Sequence, residues 1–238
     1  VFAKDRSSTV IRIAEIFQSV QGEGFLAGTP SVFVRTSGCN LRCWFCDTRY
    51  ASWEPEGDSQ SVDEILAKVD RWSTPHVVLT GGEPMIFEEL APLCQQLRER
   101  GKHITIETAG TVDREVACDF WSISPKLSNS TPVGYASPEW VQQHDQRRNA
   151  PQVVESLMQR GDYQLKFVVG SILDAEEVLE YLRALRNWSR DRVMLMPRGV
   201  TVEELQLQTS WLARWCSDHD LRLCDRQHIY WFGNRRGT

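Results

Sequence analysis

The chain has 238 residues, is 41% hydrophobic and 25% charged, and carries 27 basic against 32 acidic side chains for a net charge of −5. That acidic balance argues against a general nucleic-acid surface, and no apolar run approaches the roughly 20 residues of a transmembrane helix. No basic-then-apolar leader opens the sequence. Seven cysteines, an odd number in a chain too large to need staples, read as thiols in a reducing compartment, so a cytoplasmic location is expected.

In chain order, Val10–Phe17 and Ser31–Thr36 read as strands. Ser61-Val-Asp-Glu64 is a capping box opening a helix through Ile65, Leu66, Val69 and Trp72. Val77–Thr80 is a short apolar strand, followed by a helix from about Phe87 to Glu99 that Gly101 closes. Strands follow at His103–Glu107 and Phe120–Ser124, with a polar loop over Lys126–Pro138 and helical segments within 138–160. Gln164–Val169 and Val193–Met196 read as strands around an amphipathic helix, Asp174–Trp188. Thr201-Val-Glu-Glu204 caps a long helix, and Leu221–Cys224 is a candidate last strand. The alternation of strands and helices predicts a single α/β domain over 1–238, a partial (open) barrel of the TIM type with about six parallel core strands. In such folds the carboxyl ends of the strands carry ligands. The unusual residues fall there, after Thr36, Thr80, Glu107, Ser124, Val169 and Met196.

The loop after the second strand reads GCNLRCWFCDT and holds Cys39, Cys43 and Cys46. A closed zinc site needs four ligands, usually as two paired half-sites, and no second C-x2-C exists. Cys94, Cys118, Cys216 and Cys224 are scattered and read as small core residues. A cubane iron–sulfur cluster is normally held by four thiolates. With three, one iron keeps an open position, where a metal site does chemistry on a bound molecule. A non-enzymatic zinc or iron–sulfur module stays open as an alternative.

The spacing C-x3-C-x2-C after an early strand resembles that of the radical S-adenosylmethionine enzymes. Thr80-Gly-Gly-Glu-Pro84, placed after an apolar strand, is similar to their segment for the methionine amino group. The segments EIFQSVQGEG, CDT, Glu107-Thr-Ala-Gly110, Ser124-Pro-Lys126, Leu165-Lys-Phe and Leu195-Met-Pro follow in order. Together they resemble the 7-carboxy-7-deazaguanine synthase family, from about Ile13 to Gly237, with little carried by 127–160. A glycyl-radical activase is the alternative of similar size.

The resemblance implies a lyase that contracts the ring of 6-carboxy-5,6,7,8-tetrahydropterin to 7-carboxy-7-deazaguanine and releases ammonia, on the route to queuosine and related 7-deazapurines. It implies one 4Fe–4S cluster on Cys39, Cys43 and Cys46, and S-adenosylmethionine as a regenerated source of a 5′-deoxyadenosyl radical. It also implies Mg²⁺ at Thr48, a reductant such as flavodoxin, and a homodimer. Cofactor contacts carry over to Gly82, Glu83, Gly110, Ser124, Pro125, Lys126, Met196, Pro197, Arg198 and Gly199. Substrate contacts carry over to Val20, Gln21, Gly22, Glu23, Arg35, Thr108 and His228. Arg35 offers a planar fork for a carboxylate, and Gln21 and Glu23 offer donors and acceptors for a pterin edge. The ten residues beyond His228 depart from the family's short forms, which end soon after that histidine.

Overall fold

The computed structural model describes residues 10–238. The reading of a missing leader falls on residues 1–9 and lies outside the described residues. Nine strands form one sheet in the order β3-β1-β2-β4-β5-β6-β7-β8-β9. Their ranges are β1 Val10–Val20, β2 Pro30–Thr36, β3 Asp58–Ser61, β4 His76–Gly81, β5 His103–Thr108, β6 Phe120–Ile123, β7 Asp162–Val169, β8 Val193–Pro197 and β9 Arg222–Leu223. From β2 to β9 every pairing is parallel. The six expected core strands are β2 and β4 to β8, and the two-residue β9 adds a seventh at the edge. No pairing joins β3 to β9 among the described residues, so the barrel is open.

The helices are α1 Arg49–Ser52, α2 Val62–Val69, α3 Leu90–Glu99, α4 Pro138–Arg148, α5 Pro151–Met158, α6 Ile172–Ala184, α7 Val202–Asp218 and α8 Gln227–Phe232. Both expected capping boxes form, Ser61 with Glu64 and Thr201 with Glu204. The apolar stripes of α2, α3, α5, α6 and α7 pack on the sheet through side chains such as Ile65, Leu93, Val154, Val178 and Leu212, all fully buried. Each such side chain contributes about 1.5–3 kcal/mol on leaving water.

Helix α2 stops at Val69, short of Trp72. Four other departures from the expectation each have a physical reason. β1 continues past Phe17 because Gln18, Ser19 and Val20 pair with Val32, Ser31 and Pro30, a tertiary gain that the polar side chains conceal. β3 is a polar strand, DSQS, held only by its pairing to Val10–Ile13. Phe87 is extended (ψ 125°), so a short 3-10 turn at Pro84–Ile86 is separated from α3. α6 begins early because Ser171 Oγ accepts from Asp174 N at 3.2 Å, and it ends at Ala184 because Leu185 turns extended and inward.

Candidate active site

The carboxyl ends of the parallel strands open onto one cavity of about 890 Å³. That is enough for two small ligands side by side. At one end Cys39, Cys43 and Cys46 line the wall. The loop that carries them is held by its backbone: Gly38 N donates to Ala51 O at 2.8 Å, and Glu83 N donates to Gly38 O at 2.9 Å. Arg42 Nη1 donates to the Cys39 and Leu41 carbonyls, both at 2.8 Å, and its backbone N–H donates to His144 Nδ1 at 3.0 Å. Trp44 Nε1 donates to Asn129 O at 2.7 Å, which packs the outer face of the loop against the 126–138 segment.

The sulfurs have polar company. Leu41 N donates to Cys39 Sγ at 3.4 Å, and Cys46 Sγ lies 3.1 Å from Ser52 Oγ and 3.7 Å from Thr48 Oγ1. Burial pushes the Cys39 thiol well above its ordinary range and the Cys43 thiol up to about 12. As free thiols both are protonated, so ligation to a metal must release protons.

The next stretch of wall comes from short loops after β4, β6 and β8. Gly82 sits where a Cβ would overlap the Gly38 carbonyl oxygen and lie 2.5 Å from the Ala51 oxygen, so only glycine fits. Ser124 and Lys126 line the cavity, with Lys126 Nζ donating to Ser124 O at 2.8 Å and to Ser124 Oγ at 2.7 Å. Two of the three ammonium donors are thus committed, and the third is left for a ligand. Met196, Arg198 and Gly199 line the same side, and the Arg198 guanidinium lies 4.9 Å from the Trp44 ring centroid.

Another part of the wall is built from buried charges. Lys166, only 4% exposed at its side chain, donates to Glu23 Oε2 at 2.8 Å and stands 4.0 Å from Glu107 Oε1. Arg226 reaches Glu23 Oε1 at 3.2 Å, Gly199 O at 2.6 Å and the Asp47 carboxylate. Gln21 Nε2 donates to Glu107 Oε1 at 3.0 Å, and Thr80 Oγ1 donates to Glu107 Oε2 at 2.8 Å. Burial alone would raise Glu23, but Lys166 and Arg226 hold it far below the usual carboxylate range. Asp47, likewise opposed by burial, is lowered by Arg226. Burial would lower Lys166, yet Glu23 and Glu107 raise it, so the ammonium stays charged. Burial lowers His228, which stacks so closely on the Gly22 backbone that a Cβ there would meet His228 Cβ at 2.5 Å.

Comparison with known proteins agrees with this geometry. The model of the radical S-adenosylmethionine superfamily matches residues 33–127. The 7-carboxy-7-deazaguanine synthase of Rhodopirellula baltica is 48% identical over 233 residues, 98% of this chain and 90% of the relative. The chain belongs to the 7-carboxy-7-deazaguanine synthase family. The Halobacterium salinarum member is 44% identical over 227 residues, covering 91% of this chain and 88% of that protein. The crystal structure of QueE from Escherichia coli superposes with a TM-score of 0.67 at 26% identity, over 92% of this chain and 95% of that one.

A radical S-adenosylmethionine enzyme uses a 4Fe–4S cluster and S-adenosylmethionine, and the donor set here fits both. Three thiols share one cavity wall, none in a disulfide.

Some residues that the resemblance assigns to the cofactor stand off the cavity wall. Glu83 is fully buried and accepts from Thr108 Oγ1 and Ala109 N, both at 2.8 Å, and from Met85 N at 3.1 Å. Its carboxylate braces the ends of β4 and β5, and Thr80, Gly81 and Gly82 are the residues of that segment on the wall. Gly110 (φ +69°) lies behind the wall, against Val154 and Ile123. Pro125 is buried and Pro197 closes β8, and neither lines the cavity. Val20, Gln21, Gly22, Glu23, Arg35, Thr48, Thr108 and His228 do line it, although Gln21 and Glu23 are tied into the charge network. The segment beyond His228 returns to the cavity through Asn234, Arg235, Arg236 and Thr238.

Lys166, Glu107, Asp47 and Arg226 were missed as site residues. A lysine inside the apolar run QLKFVV and a glutamate at the end of HITIE were the available signals, since an unpaired charge does not persist in a buried strand.

Proposed function

We propose that this protein forms 7-carboxy-7-deazaguanine from 6-carboxy-5,6,7,8-tetrahydropterin with release of ammonia, supplying the route to queuosine and related 7-deazapurines. The observation that carries the reading is one cavity lined both by three thiols and by a network of charged, hydrogen-bonding side chains. The continuous sheet supports a single radical S-adenosylmethionine domain.

Cys39, Cys43 and Cys46 would hold the cluster. Gly82, Ser124, Lys126, Met196, Arg198 and Gly199 would hold S-adenosylmethionine, with the Lys126 ammonium facing its carboxylate. When bound, the two groups supply the one-electron chemistry that takes a hydrogen atom from the substrate and returns it. The chain's own task is to place the pterin. Arg35 offers a guanidinium to the carboxylate, and Thr108, Gln21 and His228 frame the ring. Thr48 would stand beside a Mg²⁺ that the substrate carboxylate shares, since one hydroxyl suits an octahedral ion completed by waters. Lys166 and Arg226 keep Glu23 and Asp47 anionic and fixed, so the wall needs no rearrangement as the charge of the substrate changes. Burial of the ring from water protects a reactive species. A one-electron reductant such as flavodoxin, a homodimer that draws on some of the nine tryptophans, and a cytoplasmic location complete the reading. No helix among the described residues is long and apolar enough to cross a membrane.

The test is turnover after anaerobic reconstitution. The expected result is 7-carboxy-7-deazaguanine and one equivalent of ammonia from the carboxylated pterin, with no net loss of S-adenosylmethionine. Cofactor cleavage without that product would instead favour an activase. In Arg35→Ala the Michaelis constant for the pterin should rise about tenfold or more, the loss of a bidentate carboxylate contact, while iron content stays at the wild-type level.

A further inference from the structure

Arg35 on β2 faces Glu15 on β1 in the antiparallel register. Its Nε donates to Glu15 Oε1 at 2.7 Å, and no hydrogen bond from Nη1 or Nη2 is formed among the described residues. Tyr50, in α1, donates its hydroxyl to the same Glu15 Oε1, also at 2.7 Å. One carboxylate oxygen therefore takes two donors, and the guanidinium is gripped by a single edge. A second guanidinium covers Tyr50 from outside. Arg236 lies 3.9 Å from the Tyr50 ring centroid, and its Nη1 donates to Glu56 at 2.8 Å. Arg35, Tyr50 and Arg236 all line the cavity.

This arrangement has a chemical purpose. An arginine side chain free to rotate loses considerable conformational entropy when it binds a ligand, and one already held loses little. A full two-pronged pairing with Glu15 would use up the fork. A single-edge contact, with the acceptor oxygen shared by a phenol, fixes the side chain and leaves the two Nη groups available.

We propose that Glu15 and Tyr50 are positioning residues that hold Arg35 by its Nε edge, so that both Nη groups meet the substrate carboxylate, and that Arg236 braces Tyr50 from the C-terminal segment. The proposal rests on the reading of Arg35 as the carboxylate contact.

Anaerobic calorimetric titration of the cluster-loaded protein with S-adenosylmethionine present tests it. The two probes are 6-carboxy-5,6,7,8-tetrahydropterin and tetrahydropterin lacking the carboxylate. In Tyr50→Phe, which keeps the ring and the Arg236 stack, the dissociation constant for the carboxylated pterin should rise about tenfold, the scale of a charge-assisted hydrogen bond, while the carboxylate-free pterin binds as before. Arg236→Ala should weaken the carboxylated ligand alone by about threefold, in line with an exposed cation–π contact. Glu15→Gln provides a second route to the same preference if Tyr50→Phe loses iron or melts early. Equal weakening of both probes, or of neither, overturns the positioning role. If Arg35→Ala itself leaves the preference for the carboxylated probe intact, the reading of Arg35 fails first. If Arg35→Ala abolishes the preference and Tyr50→Phe does not, the positioning role alone fails.

Discussion

Around the cysteines the cavity wall comes from the loops after β2, β4, β6 and β8, where backbone and glycine stand beside Trp44, Lys126, Met196 and Arg198. Elsewhere the wall is a set of buried charges drawn from distant parts of the chain. Glu23 meets Arg226 across 203 positions, Asp47 meets Arg226 across 179, and Lys166 meets Glu23 across 143. The cysteine half is written as local motifs. The charged half must hold several charges away from water at once. Each desolvated charge there needs a partner and further hydrogen bonds to be tolerable. The contrast explains why one half depends on close backbone approach and the other on electrostatic balance.

Cys43→Ser should abolish the iron–sulfur absorbance and reduce turnover to background, while the charged half keeps its structure by circular dichroism. Next comes Arg226→Ala, which takes the cation from Asp47 and leaves Glu23 with Lys166 alone, and should cost about 3–5 kcal/mol in chemical denaturation. The pH dependence sharpens that result. Glu23 and Asp47 are depressed in the folded state, so their contribution is complete above the ordinary carboxylate values of 4.5 and 3.8. It disappears as pH falls through the folded-state values, and the gap between wild type and Arg226→Ala should narrow on acidification. The smallest effect belongs to the cysteine half. In Gly82→Ala the new Cβ presses on Gly38 and Ala51, and a stability loss of about 1–3 kcal/mol should accompany reduced iron loading. A larger loss in Gly82→Ala than in Arg226→Ala would reverse the comparison.

The legibility of the two halves in the sequence follows the same division. The spacing of Cys39, Cys43 and Cys46 and the Gly81-Gly82 pair were readable because their chemistry depends on neighbours a few positions apart. The parallel core was readable because buried strands such as VVLT and VMLM are continuous apolar runs. Polar β3 was not, since pairing with β1 alone makes DSQS a strand. The type and place of Glu83 were apparent, but its three hydrogen bonds are made with Met85 and with Thr108 and Ala109 at the end of β5, and no local pattern shows those partners. Arg226 and Lys166 were overlooked because Glu23, the partner they share, lies 203 and 143 residues away, where single-sequence periodicity holds no information.

The docking of the C-terminal segment has a consequence for truncation. Gln227 N donates to Gly22 O at 2.9 Å, and Arg226 and His228 stand on either side of that bond. One wall of the cavity thus ties residues 22 and 23 to residues 226–228. Loss of the chain from Arg226 onward would take away the cation that faces Asp47 and the imidazole that covers Gly22.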